Sequence, residues 1–206
     1  NYPADGSGSS WSPPPGLGIE EKFTVLYMGN AGRGHEFATA LEAAQRLCDE
    51  AVAFLFIGGG PQWKGLKQSK KKLDLSNLHL LDYVPKEMTA SVMTTADCAL
   101  IVMRDDALGV ISPSKLHGYL AMGLPVIYVG PEGSNVDEAI QRFGCGVSLR
   151  DGDVAGLVDT IQSIRSDPKR RKGLSDQARV AFNTGYSDAV SLPRFDRLLK
   201  QLSKLQ

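Results

Sequence analysis

The chain has 206 residues, enough for one full-sized hydrophobic core and a small appendage. Lysine plus arginine and aspartate plus glutamate both total 23, so the formal charge is zero; the basic excess of a protein that works on phosphate backbones is missing, and nucleic acid is not an expected partner. Three widely spaced cysteines, Cys48, Cys98 and Cys145, offer neither a disulfide framework nor a zinc-ligand spacing, and no apolar run is long enough to cross a bilayer. With no signal-peptide pattern, the expected compartment is the cytoplasm. The chain does not open on Met, and the expectation is a piece of a longer protein.

Residues 1–20 are rich in Pro, Gly and Ser and read as a linker or arm on the domain surface, with Trp11 as the one residue able to pin it down. Residues 21–185 carry the domain. A strand at Phe23–Met28 ends on the glycine-rich turn Gly29-Asn-Ala-Gly-Arg-Gly34, which opens a helix from about Glu36 to Asp49. A second strand, Ala51–Ile57, ends on Gly58-Gly-Gly60. A helix at Trp63–Leu73 carries the run Lys70-Lys-Lys72, which reads as a solvated face. Leu78–Leu81 is a third strand, Pro85 to Thr94 a helix, and Asp97–Met103 a fourth strand.

The next stretch, Ile111 to Val129, is the most informative of the chain. Ser112 is a good N-cap, and Pro113 falls at the first helical position, where its missing N–H costs nothing. Leu116, Tyr119 and Leu120 give one apolar face, Gly123 can take a left-handed stop, and Pro125 prevents continuation. Val126–Val129 is a continuously apolar run of the kind buried on both faces of a parallel sheet. A helix at Asn135–Phe143 and a strand at Gly146–Leu149 follow. The last third reads as three helices, Val154–Ile164, Lys169–Phe182 and Ala189–Leu205, with residues 186–206 as a separate C-terminal helix. Such alternation of strands and helices predicts an α/β fold with a doubly wound parallel sheet, in which ligands lie beyond the carboxyl ends of the strands.

Both glycine turns and the segment before Ser112 fall at that edge. Gly29–Gly34 matches the dinucleotide fingerprint only loosely, and Gly58–Gly60 stands where an acidic residue would contact a ribose, which disfavours a nicotinamide cofactor. What remains is a turn that lets backbone approach a phosphate, flanked by the fork-shaped charge of Arg33. Ser114 and Lys115 begin a helix whose free N–H groups and dipole favour an anion. Phosphate binding is weighed against a purely structural tight turn. His35 and His117, each without a visible partner, read first as structural or solvated and second as acid–base groups. Asp105-Asp106 reads as a loop pair. No nucleophile–base arrangement or metal cluster is evident.

Pro113-Ser-Lys-Leu-His-Gly-Tyr-Leu-Ala-Met-Gly-Leu-Pro-Val-Ile127 closely resembles a segment of retaining glycosyltransferases of family 4, in the subset that builds colanic acid, capsules and O-antigens. Tyr27–Arg33, Phe56–Gly60, Leu81–Lys86, Ala96–Leu100 and Ser166–Arg170 are similar to further segments in the same order, and Asn1–Asp5 looks like the family's interdomain linker. The resemblance implies one C-terminal, donor-binding Rossmann-like half of a GT-B enzyme, inactive without its N-terminal acceptor domain. It implies that Gly29, Asn30, Gly32 and Arg33, with Gly58, Ser114 and Lys115, hold the diphosphate of a nucleotide-sugar. Tyr83 and Val84 would lie against the base, and the last helix would cross back to the other domain. No cofactor and no metal are called for, and the full-length protein would sit peripherally on a membrane. One departure stands out: where the family commonly has two glutamates eight positions apart, this chain has Val110 and Gly118. Glu132, after the following strand, is the candidate substitute at the ribose. The alternatives are a nucleotide-binding module without turnover and, more weakly, a nucleotide-sugar epimerase.

Overall fold

In the computed structural model, which describes residues 10–203, the chain folds into six strands: β1 (Phe23–Asn30), β2 (Val52–Gly59), β3 (Leu78–Leu81), β4 (Cys98–Val102), β5 (Val126–Val129) and β6 (Gly146–Leu149). All pair in parallel, in the order β3-β2-β1-β4-β5-β6. The helices are α1 (Ala38–Arg46), α2 (Trp63–Lys72), α3 (Thr89–Met93), α4 (Lys115–Met122), α5 (Asn135–Phe143), α6 (Val154–Ser166), α7 (Pro168–Ala181) and α8 (Asp188–Leu202). Asn1–Asp5, read as linker, and the last two residues of the expected final helix, 204–205, lie outside the described residues.

The strands are apolar at nearly every position because both faces are covered. Val25 and Tyr27 of β1, with Phe54 and Phe56 of β2, face one layer built from Ala40, Ala43 and Ala44 of α1, Leu66 of α2 and Leu157 and Ile161 of α6. Leu26, Leu55 and Ile101 face the other, built from Val92 of α3, Leu116, Tyr119 and Leu120 of α4, Val136 and Ile140 of α5 and Ala178 of α7. This is the doubly wound, Rossmann-like sheet expected from the alternation. The chain reverses winding direction between β1 and β4, which lie side by side, and a crevice opens at their carboxyl ends.

Boundaries differ from the sequence reading in instructive ways. β1 does not stop at Met28: Gly29 and Asn30 continue the ladder opposite Gly58 and Gly59. At Gly58, φ is 149°, and a Cβ there would fall on the Gly29 carbonyl oxygen, so only glycine lets the two backbones approach this closely. α1 starts at Ala38 rather than Glu36, because the Glu36 carboxylate turns back to accept from the N–H groups of Phe37 and Ala38. α4 starts at Lys115 rather than at Pro113. Leu116 N–H donates to the Pro113 carbonyl and His117 N–H to that of Ser114, both 3.2 Å, so the entry is a tight turn and Ser112 is not its N-cap. Gly123 does take the left-handed stop, at φ 68°. The helix expected over 85–94 breaks into a short 3₁₀ turn at Lys86–Met88 and α3.

The π-helical turn was not foreseen. Phe182–Tyr186 forms one π-helical turn just past the expected end of the Lys169–Phe182 helix, closed by the Ser187 N–H donating to the Phe182 carbonyl at 2.8 Å. The bulge sets Tyr186 against His117 of α4 and Phe143 of α5, with ring centroids 5.4 and 6.2 Å apart. The arm is tied where expected, at Trp11, whose backbone N–H donates to Ser91 Oγ at 2.8 Å while its ring packs on the second layer.

Candidate functional site

A cavity of about 1150 Å³ opens at the carboxyl ends of the strands, where the winding reverses. Its walls are the turn after β1, the loop after β3, the loop after β4 and the start of α4. Eight of the ten residues expected to hold a ligand line it: Gly29, Asn30, Gly32, Arg33, Tyr83, Val84, Ser114 and Lys115. Two do not. Gly58 lies behind the wall, pairing with Gly29, and acts by letting β1 and β2 close up. Glu132 is exposed, and its carboxylate pairs with Arg150 at 2.8 Å, so it is no part of the cavity wall.

The turn after β1 is held from behind. Tyr27 hydroxyl donates to the Asn30 carbonyl at 2.8 Å. Gln62 Nε2 donates to the carbonyls of Gly32 and His35 at 2.7 and 2.6 Å, and Gln62 N–H to that of Ala31 at 3.1 Å. With its carbonyls turned to Gln62, the turn leaves the N–H groups of Gly32, Arg33 and Gly34 without a protein acceptor among the described residues. Successive free N–H groups of this kind form an anion-binding concavity. The loop after β4 closes on the same turn: Arg104 N–H donates to the Gly34 carbonyl at 3.0 Å, and Ile111 Cδ1 would lie 2.8 Å from any Cβ at Gly34. Gln62 was missed in the sequence because its role depends on α2 folding back under the turn.

Lys115 enters from α4. Its Cε runs 3.6 Å from where a Gly29 Cβ would be, and its ammonium lies 4.7 Å from the centre of the Tyr27 ring. Nζ is 3.0 Å from His35 Nε2, and no carboxylate bonds it among the described residues. Burial pushes its pKa down to about 8. His35, beside it, is pushed down to about 4, chiefly by burial and further by the Lys115 charge. His35 thus has the partner that its sequence context did not show, whereas His117 packs at a tilt against Tyr186 and does not line the cavity.

The opposite wall is mixed. Arg104 grips Asp106 through two bonds of 2.9 and 2.7 Å, which hold the Asp106 carboxyl below the usual carboxylate range. Val110 is 78% exposed beside them. Tyr83, 61% exposed, sits against Gly59, its Cε2 2.9 Å from where a Cβ would be. Gly118 is buried in α4, away from the lining. Chemically, the cavity offers a set of backbone donors, a helix start, one half-buried and one exposed cation, and an aromatic side chain. That combination fits an anion flanked by a planar group.

The family described as glycosyl transferases group 1 matches residues 13–181. The chain is 26% identical over 151 residues to the putative colanic acid biosynthesis glycosyl transferase WcaI of Escherichia coli (strain K12), covering 73% of this chain and 37% of that protein. It is 24% identical over 181 residues to the probable glycosyltransferase WbjE of Pseudomonas aeruginosa, covering 88% and 45%. The chain therefore spans less than half the length of either relative. Among solved structures, Anabaena Alr3699/HepE in complex with UDP-glucose superposes with a TM-score of 0.75 at 16% identity, covering 90% of this chain and 50% of that one.

Proposed function

The chain belongs to the glycosyl transferases group 1 family, and we propose that its cavity binds the donor, a nucleoside-diphosphate sugar, as half of a retaining enzyme. The observation that carries this reading is convergence. The three free N–H groups of the Gly32–Gly34 turn, Arg33, the start of α4 and the Lys115 ammonium all meet one cavity at the switch point of the sheet. The diphosphate lies against these donors, with the base toward Tyr83 and Val84. A solved fold neighbour in complex with UDP-glucose supports uridine as the first base to try.

When the glycosidic bond breaks, negative charge grows on the leaving diphosphate. Lys115, Arg33 and the α4 dipole stabilise that charge without rearrangement, since all three are in place beforehand. The reaction needs no metal in this scheme, and EDTA leaves nucleotide affinity unchanged. The acceptor is a saccharide or lipid-linked saccharide, in keeping with a relative named for colanic acid biosynthesis, and it is held by a separate N-terminal domain. The full-length protein works in the cytoplasm, peripherally at the membrane.

Calorimetry with UDP tests the reading: Arg33→Ala and Lys115→Ala each weaken binding by about 1–3 kcal/mol, the range of hydrogen bonds to charged groups. Unchanged affinity in both variants overturns it. A second reading, a nucleotide-binding module without turnover, is favoured by Val110 and Gly118, which place no carboxylate where family members commonly carry glutamates. Transfer by the full-length protein separates the two.

A further inference from the structure

We propose that His35 is a positioning residue, whose imidazole is anchored on the glycine turn and holds the Lys115 ammonium at the cavity floor for an incoming diphosphate. This rests on the donor-binding reading above. His35 Nδ1 lies 3.2 Å from the Gly32 carbonyl, which can only accept, and Nε2 lies 3.0 Å from the Lys115 ammonium, which can only donate. Both contacts are satisfied by one form alone, the neutral ring with its proton on Nδ1 and its lone pair on Nε2. The form is fixed by what lies on either side of the ring.

The ring has no freedom to leave. It packs beside Phe37 at 6.2 Å and edge-on to Tyr27 at 6.1 Å, and Gln62 grips the His35 carbonyl from behind. Lys115 reaches the turn over the Tyr27 ring and meets His35 as its one hydrogen-bond acceptor among the described residues. A lysine stem carries considerable rotamer entropy, and an ammonium that wanders would bind an anion less well. His35 removes that wandering, and it links α4 to the turn that carries the free N–H groups. Two walls of the cavity are thereby set to one spacing before a ligand arrives.

Other titratable groups facing the pair do not take over this role. Tyr27 and Tyr119 use their hydroxyls on β1 backbone, at Asn30 and Met28. Glu36 is turned to the N–H groups of Phe37 and Ala38, and Asp106 is gripped by Arg104 across the cavity. Arg33 and Tyr83 line the cavity without contacting the pair. Burial keeps His35 uncharged through the neutral range, which is the state its acceptor role requires.

Two measurements test the proposal on the folded chain, with thermal melts confirming that each variant folds. The first needs no nucleotide: the ¹⁵N shifts of the His35 ring between pH 6 and 8 show the Nδ1–H form. The commoner Nε2–H form overturns the proposal whatever binds in the cavity. The second is a double-mutant cycle read by UDP calorimetry. His35→Ala raises the UDP Kd about tenfold when Lys115 is present and leaves it within about twofold in a Lys115→Met background. His35→Gln, which keeps an acceptor at the ε position, recovers most of the affinity. An equal loss in both backgrounds makes His35 a structural support of the turn and overturns the positioning role. Absence of UDP binding by the unaltered chain, with the Nδ1–H form present, counts against the donor-binding reading and against the purpose of the pair, while leaving its geometry intact.

Discussion

Lys115 is a cation placed where a cation is costly. In the unfolded chain its pKa is near 10.5, whereas burial in the folded chain pushes it down to about 8. Between those values the unfolded state holds the extra proton, so this residue makes stability rise with pH from about 8 to 10.5. His35 and His79 act alike in acid. Both are pushed from 6.5 down to about 4, chiefly by burial, so their contribution to stability is complete above 6.5 and is lost as pH falls toward 4. An anion at the cavity floor reverses the Lys115 cost by favouring the charged form. UDP binding near pH 8 therefore takes up a fraction of a proton, up to about one half. Calorimetry in buffers of different ionisation enthalpy reads that uptake, and Lys115→Met abolishes it. Affinity falls as pH rises beyond 8, because binding must then supply the missing proton; a pH-independent affinity from 7 to 9.5 would mean that Lys115 does not meet the ligand. The sequence pointed to Lys115 through its place at a helix start. It singled out His35 without a partner, since the partnership joins residues 80 positions apart and forms only when β1 and α4 lie side by side.

At the scale of elements, apolar runs with clear punctuation were legible: β3, β5, α5 and β6 stand where the pattern puts them. The misplaced ends share a cause. Glycines read as turn signals, because local chemistry permits a turn there, yet Gly29 and Gly58 are kept in strand by the ladder between β1 and β2. Likewise Ser112 and Pro113 carry the marks of a helix start, but the loop after β4 is drawn down onto Gly34 by Ile111, and regular helix begins only at Lys115. These are tertiary overrides of local preference, and they occur where the cavity is built. The consequence for Gly58 is testable. A Cβ there meets the Gly29 carbonyl oxygen in a backbone conformation that other residues avoid. Gly58→Ala therefore costs at least about 2 kcal/mol in urea unfolding, and it weakens UDP binding by displacing the turn, although Gly58 itself touches no cavity space. A neutral substitution would show that β1 and β2 can part at that end.

For the molecule as a whole, the sheet and its two helical layers form a closed unit in which α8 takes almost no part. None of its described side chains is buried, and its exposed Leu192, Phe195, Leu199 and Leu202 repeat at the spacing of one helix face. Among the described residues nothing covers this stripe, so α8 depends on its own propensity, with Pro193 within it and ion pairs such as Lys200 to Asp196 at 2.7 Å contributing little. By contrast the π-helical turn just before it is packed, through Tyr186, onto α4 and α5. The boundary of the cooperative unit thus falls at Ser187. Removing residues 188–206 is expected to shift Tm by no more than about 2 °C and to leave UDP affinity unchanged, because neither core layer nor any cavity wall is touched. Amide exchange on the intact chain should find α8 opening well below the global free energy while α4 and β1 exchange only on full unfolding. A Tm loss of 10 °C or more on truncation would place α8 inside the core unit. Cutting before the π-helical turn, at residue 181, gives the contrasting result: it uncovers the half-buried Phe143, strips the Tyr186 ring from His117 and lowers Tm through lost packing on α4, the element that carries Lys115.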